Sequence, residues 1–341
     1  MLETAFTRRV GCRVPIQSAP MPGIATPDLV AAVADAGALA MLPAPLLSAE
    51  ALGAQLDALA ARTRGVVGAG FLMPFLDAEC LLVAARKARV VEFFYGEPDA
   101  ELVREAGAHG ALVSWQVGSL EEALAAERCG CDLVVAQGTE AGGHVRGVSS
   151  LLPLLSAVVP RVGVPVIAAG GIATAADVAA VLAAGASGAR LGTRFVACAE
   201  SGAHPRYVHA LLAARAADTV LTQAFSVLWP DAPHRVLRSA VETAAGLPDG
   251  PVAWIRAGDT EQPMPRFGVM CPTRETHGNI EAMALYAGES VENITSVEPA
   301  AKIIEELVRG AEGLLGRTQP TGSAARVTER EACRIVAPEA E

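Results

Sequence analysis

Eight short runs of apolar and β-branched residues recur along this chain with alanine-rich stretches between them, and that alternation restricts the fold more than any other feature. The runs are Val14 to Pro20, Leu39 to Pro43, Val66 to Leu72, Val90 to Tyr95, Ala111 to Val117, Leu133 to Gln137, Pro165 to Gly171 and Ala189 to Phe195. The segments between them carry helix-start signals: Thr26-Pro27-Asp28 before Leu29 to Ala36, Ser119-Leu120-Glu121-Glu122 before Ala123 to Arg128, and Thr174 before Ala175 to Ala184. In each, a hydroxyl can accept a hydrogen bond from an otherwise unpaired amide of the first turn. Gly37, Gly130 and Gly185 follow three of these helices as stops. Strand and helix alternating eight times predict an α/β protein, a (β/α)8 TIM barrel over residues 1–200. An open doubly wound sheet is the other topology that the same alternation allows.

Past the eighth run the regularity ends. Residues 201–280 hold many Pro, Gly and Arg around apolar pieces such as Val220 to Leu228 and Trp254-Ile255, and we expect an inserted helical and loop region covering the barrel mouth. Amphipathic patterning resumes at Ile280 to Tyr286 and at Pro299 to Leu315, where Ile303, Ile304, Leu307 and Val308 share one face. Residues 281–316 are therefore expected to form C-terminal helices that pack back on the barrel, and 317–341 a poorly ordered polar tail.

Composition removes several function classes. With 52% hydrophobic and 19% charged residues, the 341-residue chain can bury a large core. Its 27 basic and 37 acidic residues give a net charge of −10, and Lys87 and Lys302 are its only lysines. That balance argues against nucleic-acid and anionic-membrane partners. Every hydrophobic run is interrupted before it could span a bilayer, and the N-terminus lacks a signal peptide's layout, so a cytoplasmic protein is expected. The seven cysteines are scattered, with Cys129 and Cys131 the one close pair and no C-x-x-C, so neither a disulfide framework nor a metal site is suggested.

Chemistry concentrates at the ends of three runs. Gln137-Gly138-Thr139-Glu140-Ala141-Gly142-Gly143-His144 follows the sixth, so an apolar strand breaks into glycines and then offers an imidazole. In a barrel, that position faces the active site, and an imidazole there can exchange protons near neutrality. The seventh run ends in Gly170-Gly171, and the eighth contains Gly192-Thr193. Glycines let backbone N–H groups approach a phosphate closely, although glycines at strand ends also simply permit turns. The other histidines, His109, His204, His209, His234 and His277, lack a comparable setting, although His277 falls in the covering region and could reach the mouth.

Several motifs in order resemble one family. They are Gln17-Ser18-Ala19-Pro20-Met21 with Thr26-Pro27-Asp28-Leu29, Gln137 to His144, Pro165 to Ile172, Gly185-Ala186 through Gly192-Thr193-Arg194-Phe195 to Glu200-Ser201, and Tyr286-Ala287-Gly288-Glu289-Ser290. In that order they resemble the FMN-dependent nitronate monooxygenases, formerly called 2-nitropropane dioxygenases, and their relatives the flavin-containing enoyl-acyl-carrier-protein reductases. The resemblance implies an FMN across the barrel mouth with its phosphate around Gly170, Gly171, Gly192 and Thr193. By the same carry-over, Pro20 and Met21 touch the ring, while Gln116, Gln137, Gly142 and Gly143 line it or the ribityl chain. His144 becomes the catalytic residue beside the flavin, acting on a nitroalkane or alkyl nitronate that O2 converts to a carbonyl compound and nitrite. An FMN-dependent enoyl-thioester reductase fed by NADH or NADPH is the alternative, and a non-redox barrel that binds a phosphorylated ligand is a third.

The chain departs from the family at three places. Gly68-Ala69-Gly70-Phe71 stands where an Asn is frequent, Gln116 where some relatives carry Lys, and Glu289 where Gln is common. Substrate choice is expected to rest on residues around the mouth, among them Phe71, Met73, Phe75, Phe93, Tyr95, Trp115, Trp229, Trp254 and Tyr286, although ordinary core or lid packing would account for most of them. An apolar pocket so lined favours small aliphatic substrates.

Overall fold

The computed structural model describes residues 2–258 and 260–318. Its strands are β1 (Ile16–Ser18), β2 (Leu39–Pro43), β3 (Val66–Leu72), β4 (Val90–Phe94), β5 (Leu112–Val117), β6 (Leu133–Gln137), β7 (Gly143–His144), β8 (Val166–Ala169), β9 (Gly188–Leu191), β10 (Thr219–Thr222), β11 (His234–Leu237), β12 (Pro251–Ala257), β13 (Thr260–Pro265) and β14 (Thr276–Gly278). Strands β1 to β6, β8 and β9 close into a parallel barrel, the (β/α)8 architecture that the alternation predicts.

The helices between the strands start where the caps place them. Thr26 accepts from the Leu29 amide at the head of Pro27–Asp35, and Ser119 accepts from the Glu122 amide at the head of Leu120–Arg128. Thr174 and Asp177 exchange both bonds of a capping box before Ala175–Ala183. Two expected strands stop early. Gly170 and Gly171 adopt φ of +110° and +71°, outside any strand conformation, so β8 ends at Ala169. The last barrel pairing of β9 joins Leu191 to Ser18, and residues Thr193–Val196 form a helical turn where the sequence pattern extends the strand to Phe195.

Side chains along a barrel strand alternate between the interior and the surrounding helices. The interior positions nearest the strand starts, including Leu39, Met41, Val90, Leu112, Leu133 and Ile167, form an apolar plug with Phe6 and Val10 of the N-terminal helix Ala5–Val10. Further along, inward positions on β1, β4, β5 and β9 turn polar, at Gln17, Glu92, Ser114, Gln116 and Arg190, all buried, while Val135 of β6 and Ala169 of β8 stay apolar. Outward positions such as Val91, Phe93, Val113, Trp115 and Val134 pack against the helix layer.

Residues after β9 build more strand than the sequence pattern suggests. Besides the helices Pro205–Ala213 and Arg238–Ala245, they form a hairpin sheet ordered β13-β12-β14 and strands β10 and β11, which take β7 into a second antiparallel sheet. A second apolar core lies here, around Tyr207, Phe225, Val236 and Leu285. Ile280 to Tyr286, read as amphipathic helix, is a short turn of 3-10 helix over Ile280–Ala282 and then extended backbone, with Ile280, Met283 and Leu285 buried. Ala300–Thr318 is a helix, with Ile303, Ile304, Leu307 and Val308 buried in the main core. Arg317 and Thr318 still belong to it, and the rest of the expected tail lies outside the described residues.

Candidate active site

At the C-terminal ends of the barrel strands is a cavity of about 260 Å3. Pro20, Met21, Gln116, Gln137, Gly142, Gly143, His144, Gly170, Gly171, Gly192 and Thr193 all line it, so the structure brings every candidate site residue from the sequence to one place. They come from five separate strand ends, as barrel chemistry requires.

His144 is set by tertiary pairing. Gly143 and His144 form β7, opposite Arg235 and His234 of β11. The imidazole stacks on Trp229 with centroids 3.9 Å apart and planes 19° apart, and Tyr95, Tyr286 and His234 surround it at 5.9, 5.6 and 5.2 Å. Its Nε2 is buried without a partner, while its carbonyl accepts from Gln137 Nε2 at 2.9 Å. Burial, reinforced by His234, pushes its pKa down to about 3. The sequence suggests an imidazole titrating near neutrality; in the fold it is a neutral ring throughout the physiological range.

His234, set aside on sequence grounds, packs beside His144 without lining the cavity itself. It is fully buried, its Nδ1 lies 2.8 Å from the Ala232 carbonyl, and its Nε2 accepts from the Phe225 amide at 3.2 Å. Those two bonds define the Nδ1–H tautomer and leave no nitrogen free to take a proton. His277 does not reach the mouth; it stacks on Trp254 in the hairpin sheet.

Of the aromatic candidates, Phe71, Phe75, Trp229 and Tyr286 line the cavity. Trp229 packs edge-on against Phe75 at 5.2 Å and Tyr95 at 4.7 Å, making one wall. Phe93 and Trp115 instead pack tilted against each other, centroids 4.8 Å apart, on the outer face of the barrel, and Trp254 stands in the hairpin sheet. Met73 packs in the main core's margin.

The three departures acquire physical settings. A Cβ on Gly70 would lie 2.5 Å from Pro20 Cγ, so no side chain fits under that ring. Gln116 Oε1 takes a hydrogen bond from the Arg190 guanidinium, which brings a cation to the place where some relatives have lysine. Arg190 is in turn ion-paired with Glu92, which offsets that charge. Glu289 turns its carboxylate to Arg235 at 3.1 Å, and its neighbour Ser290 lines the cavity. Glu92 and Arg190 were not singled out in the sequence, yet a carboxylate amid Val90-Val91-Glu92-Phe93-Phe94 was a readable signal. A charge inside an otherwise apolar strand needs a buried partner.

The model for nitronate monooxygenase matches residues 76–310. The nitronate monooxygenase of Pseudomonas aeruginosa is 30% identical over 90% of this chain and 99% of its own length. The chain belongs to the nitronate monooxygenase family. It is an oxidoreductase. The structure of a nitroalkane oxidase from Streptomyces ansochromogenes is 29% identical, with a TM-score of 0.74 over 92% of this chain and all of the other. A relative from Rhodococcus jostii, (3aS,4S,5R,7aS)-5-hydroxy-7a-methyl-1-oxo-octahydro-1H-indene-4-carboxyl-CoA dehydrogenase, is 33% identical over 70% of this chain and 66% of that one. Among the described residues, no cluster of His, Cys, Asp or Glu could hold a metal ion, and no helix is long and apolar enough to cross a membrane.

Proposed function

We propose that this family member is an FMN-dependent nitronate monooxygenase that oxidises alkyl nitronates with O2 to carbonyl compounds and nitrite. One observation carries the reading. The buried side-chain atoms without a partner among the described residues are Glu92 Oε1, Gln137 Oε1 and His144 Nε2, and all three residues line the same cavity. Unpaired buried polar atoms cost free energy, so their convergence points to a ligand that completes them.

The residues present fit a flavin nucleotide. Ala19, Pro20, Met21, Ala169 and Ile172 offer an apolar surface for a planar ring, and Gln137 Oε1 an acceptor for a ring or ribityl donor. Gly192 lines the cavity without a side chain, beside Ala19 and Met21, which leaves its backbone open to a ligand. Gly170 and Gly171 supply left-handed backbone for a phosphate to approach. Bound FMN would supply the electron transfer between nitronate and O2.

The chain's own residues would do the rest. His144, kept neutral, would hold a nitronate oxygen by hydrogen bonding, and the wall of Trp229, Phe75 and Tyr286 would exclude water around an aliphatic group. A ring with a pKa pushed down to about 3 is a weak base, which favours pre-formed nitronates over neutral nitroalkanes. The likeness to a carboxyl-CoA dehydrogenase supports a second reading, FMN-dependent thioester redox chemistry with NADH or NADPH, of which an enoyl-thioester reductase is one form.

An absorbance spectrum followed by anaerobic mixing separates these. The expected result is a yellow protein bleached by ethylnitronate and unaffected by NADH or NADPH. Rapid bleaching by a nicotinamide would transfer the assignment to the thioester enzyme, and a colourless protein that takes up no FMN would overturn both.

A further inference from the structure

The cavity floor is a layer of buried polar side chains organised by one guanidinium. Arg190, only 4% exposed, donates from Nη2 to Glu92 Oε2, from Nη1 to Gln116 Oε1 and from Nε to Gln17 Oε1 at 3.3 Å. Glu92 Oε2 also accepts from Gln17 Nε2 at 3.3 Å and Ser114 Oγ at 3.4 Å. The three donors to Glu92, from Arg190, Gln17 and Ser114, all meet one carboxylate oxygen; the other, Oε1, is buried with none.

The same fork orients Gln116. A guanidinium has no acceptor, so the amide must turn its oxygen to Arg190, and its Nε2 donors face away from that group. Glu92 and Gln116 both line the cavity and are held by the neighbouring Nη atoms of one planar group. The floor therefore presents an acceptor and a donor side by side. An alkyl nitronate has no N–H or O–H to give the carboxylate, so the substrate does not complete this pair. A ligand edge with N–H beside C=O does.

We propose that Arg190 sets Glu92 and Gln116 as an acceptor–donor pair that reads an imide edge. On the FMN reading, on which this inference rests, that edge is N3–H and an adjacent carbonyl of the flavin's pyrimidinedione ring. Glu92 and Gln116 are then cofactor-recognition residues, and Arg190 is the positioning residue that aims them.

The test is binding of FMN and of 3-methyl-FMN to the apoprotein, read by flavin fluorescence quenching. The wild type is expected to bind FMN at least about tenfold more tightly than the N3-methylated flavin, since a buried carboxylate oxygen left without a donor is costly. In Glu92→Gln the new amide gives its oxygen to Arg190 and turns NH2 toward N3–H, donor against donor. FMN affinity is expected to fall by about ten- to hundredfold, with most of the discrimination against 3-methyl-FMN lost. Equal affinity of the wild type for the two flavins overturns the proposal while the FMN assignment stands. Unchanged affinity and discrimination in Glu92→Gln also overturn it, and a wild type that binds neither flavin removes both claims. Should the variant not fold, the wild-type comparison decides alone.

Discussion

At the scale of single residues, the site is governed by desolvation more than by charge. His144 and His234 lie 5.2 Å apart and both have lowered pKa values, chiefly because burial disfavours the cation. With His144 pushed down to about 3, the rate with a pre-formed nitronate should show no inflection around pH 6.5, in steady-state profiles from pH 6 to 8. An inflection there that disappears in His144→Asn would mean that the ring charges in the working enzyme. His144→Asn itself should lower turnover by roughly ten- to a thousandfold, the range for losing a positioned polar group at a reacting centre, with the flavin spectrum retained. His144 was legible in the sequence because a glycine pair after an apolar run announces a strand end. His234 was not, because nothing local marks it; only the antiparallel pairing of β7 with β11 brings it opposite.

At the scale of elements, strand ends and the loops that follow them place the chemistry. Pro20, after β1, sits over Gly70 of β3, where an added Cβ would come within 2.5 Å of the ring. Gly70→Ala should therefore displace Pro20 and destabilise the protein by about 1–3 kcal/mol, measured by urea unfolding, with weaker flavin uptake. An unchanged midpoint would mean that the loop after β1 yields freely. The helix starts at Thr26, Ser119 and Thr174 were readable because a cap is a local hydrogen bond. The strands of residues 201–280 were not, since strands this short carry little periodicity and β11 takes β7, some ninety residues earlier in the chain, as a partner.

At the scale of the whole molecule, two apolar cores meet around the cavity, and their dryness has a consequence for stability. Burial lowers the pKa of both histidines in the fold, so below about pH 6.5 the unfolded chain binds more protons and stability is lost as pH falls, for His144 down to about pH 3. The urea midpoint should drop between pH 7.5 and 5.5, with a slope of at most about 1.4 kcal/mol per pH unit for each histidine. His144→Asn should flatten that slope, and a midpoint insensitive to pH in the wild type would contradict the burial argument. The sequence by itself determined the barrel, its helix caps, the strand ends that carry glycine, and the residues that gather at the mouth, because period, capping and backbone freedom are local properties. Only the tertiary structure decided that Glu92 finds Arg190, that Gln116 is turned by it, and that His144 is held neutral against Trp229 and His234. Those outcomes depend on which residues distant in the chain share a dry interior, where an unpaired charge or donor is costly enough to select its partner.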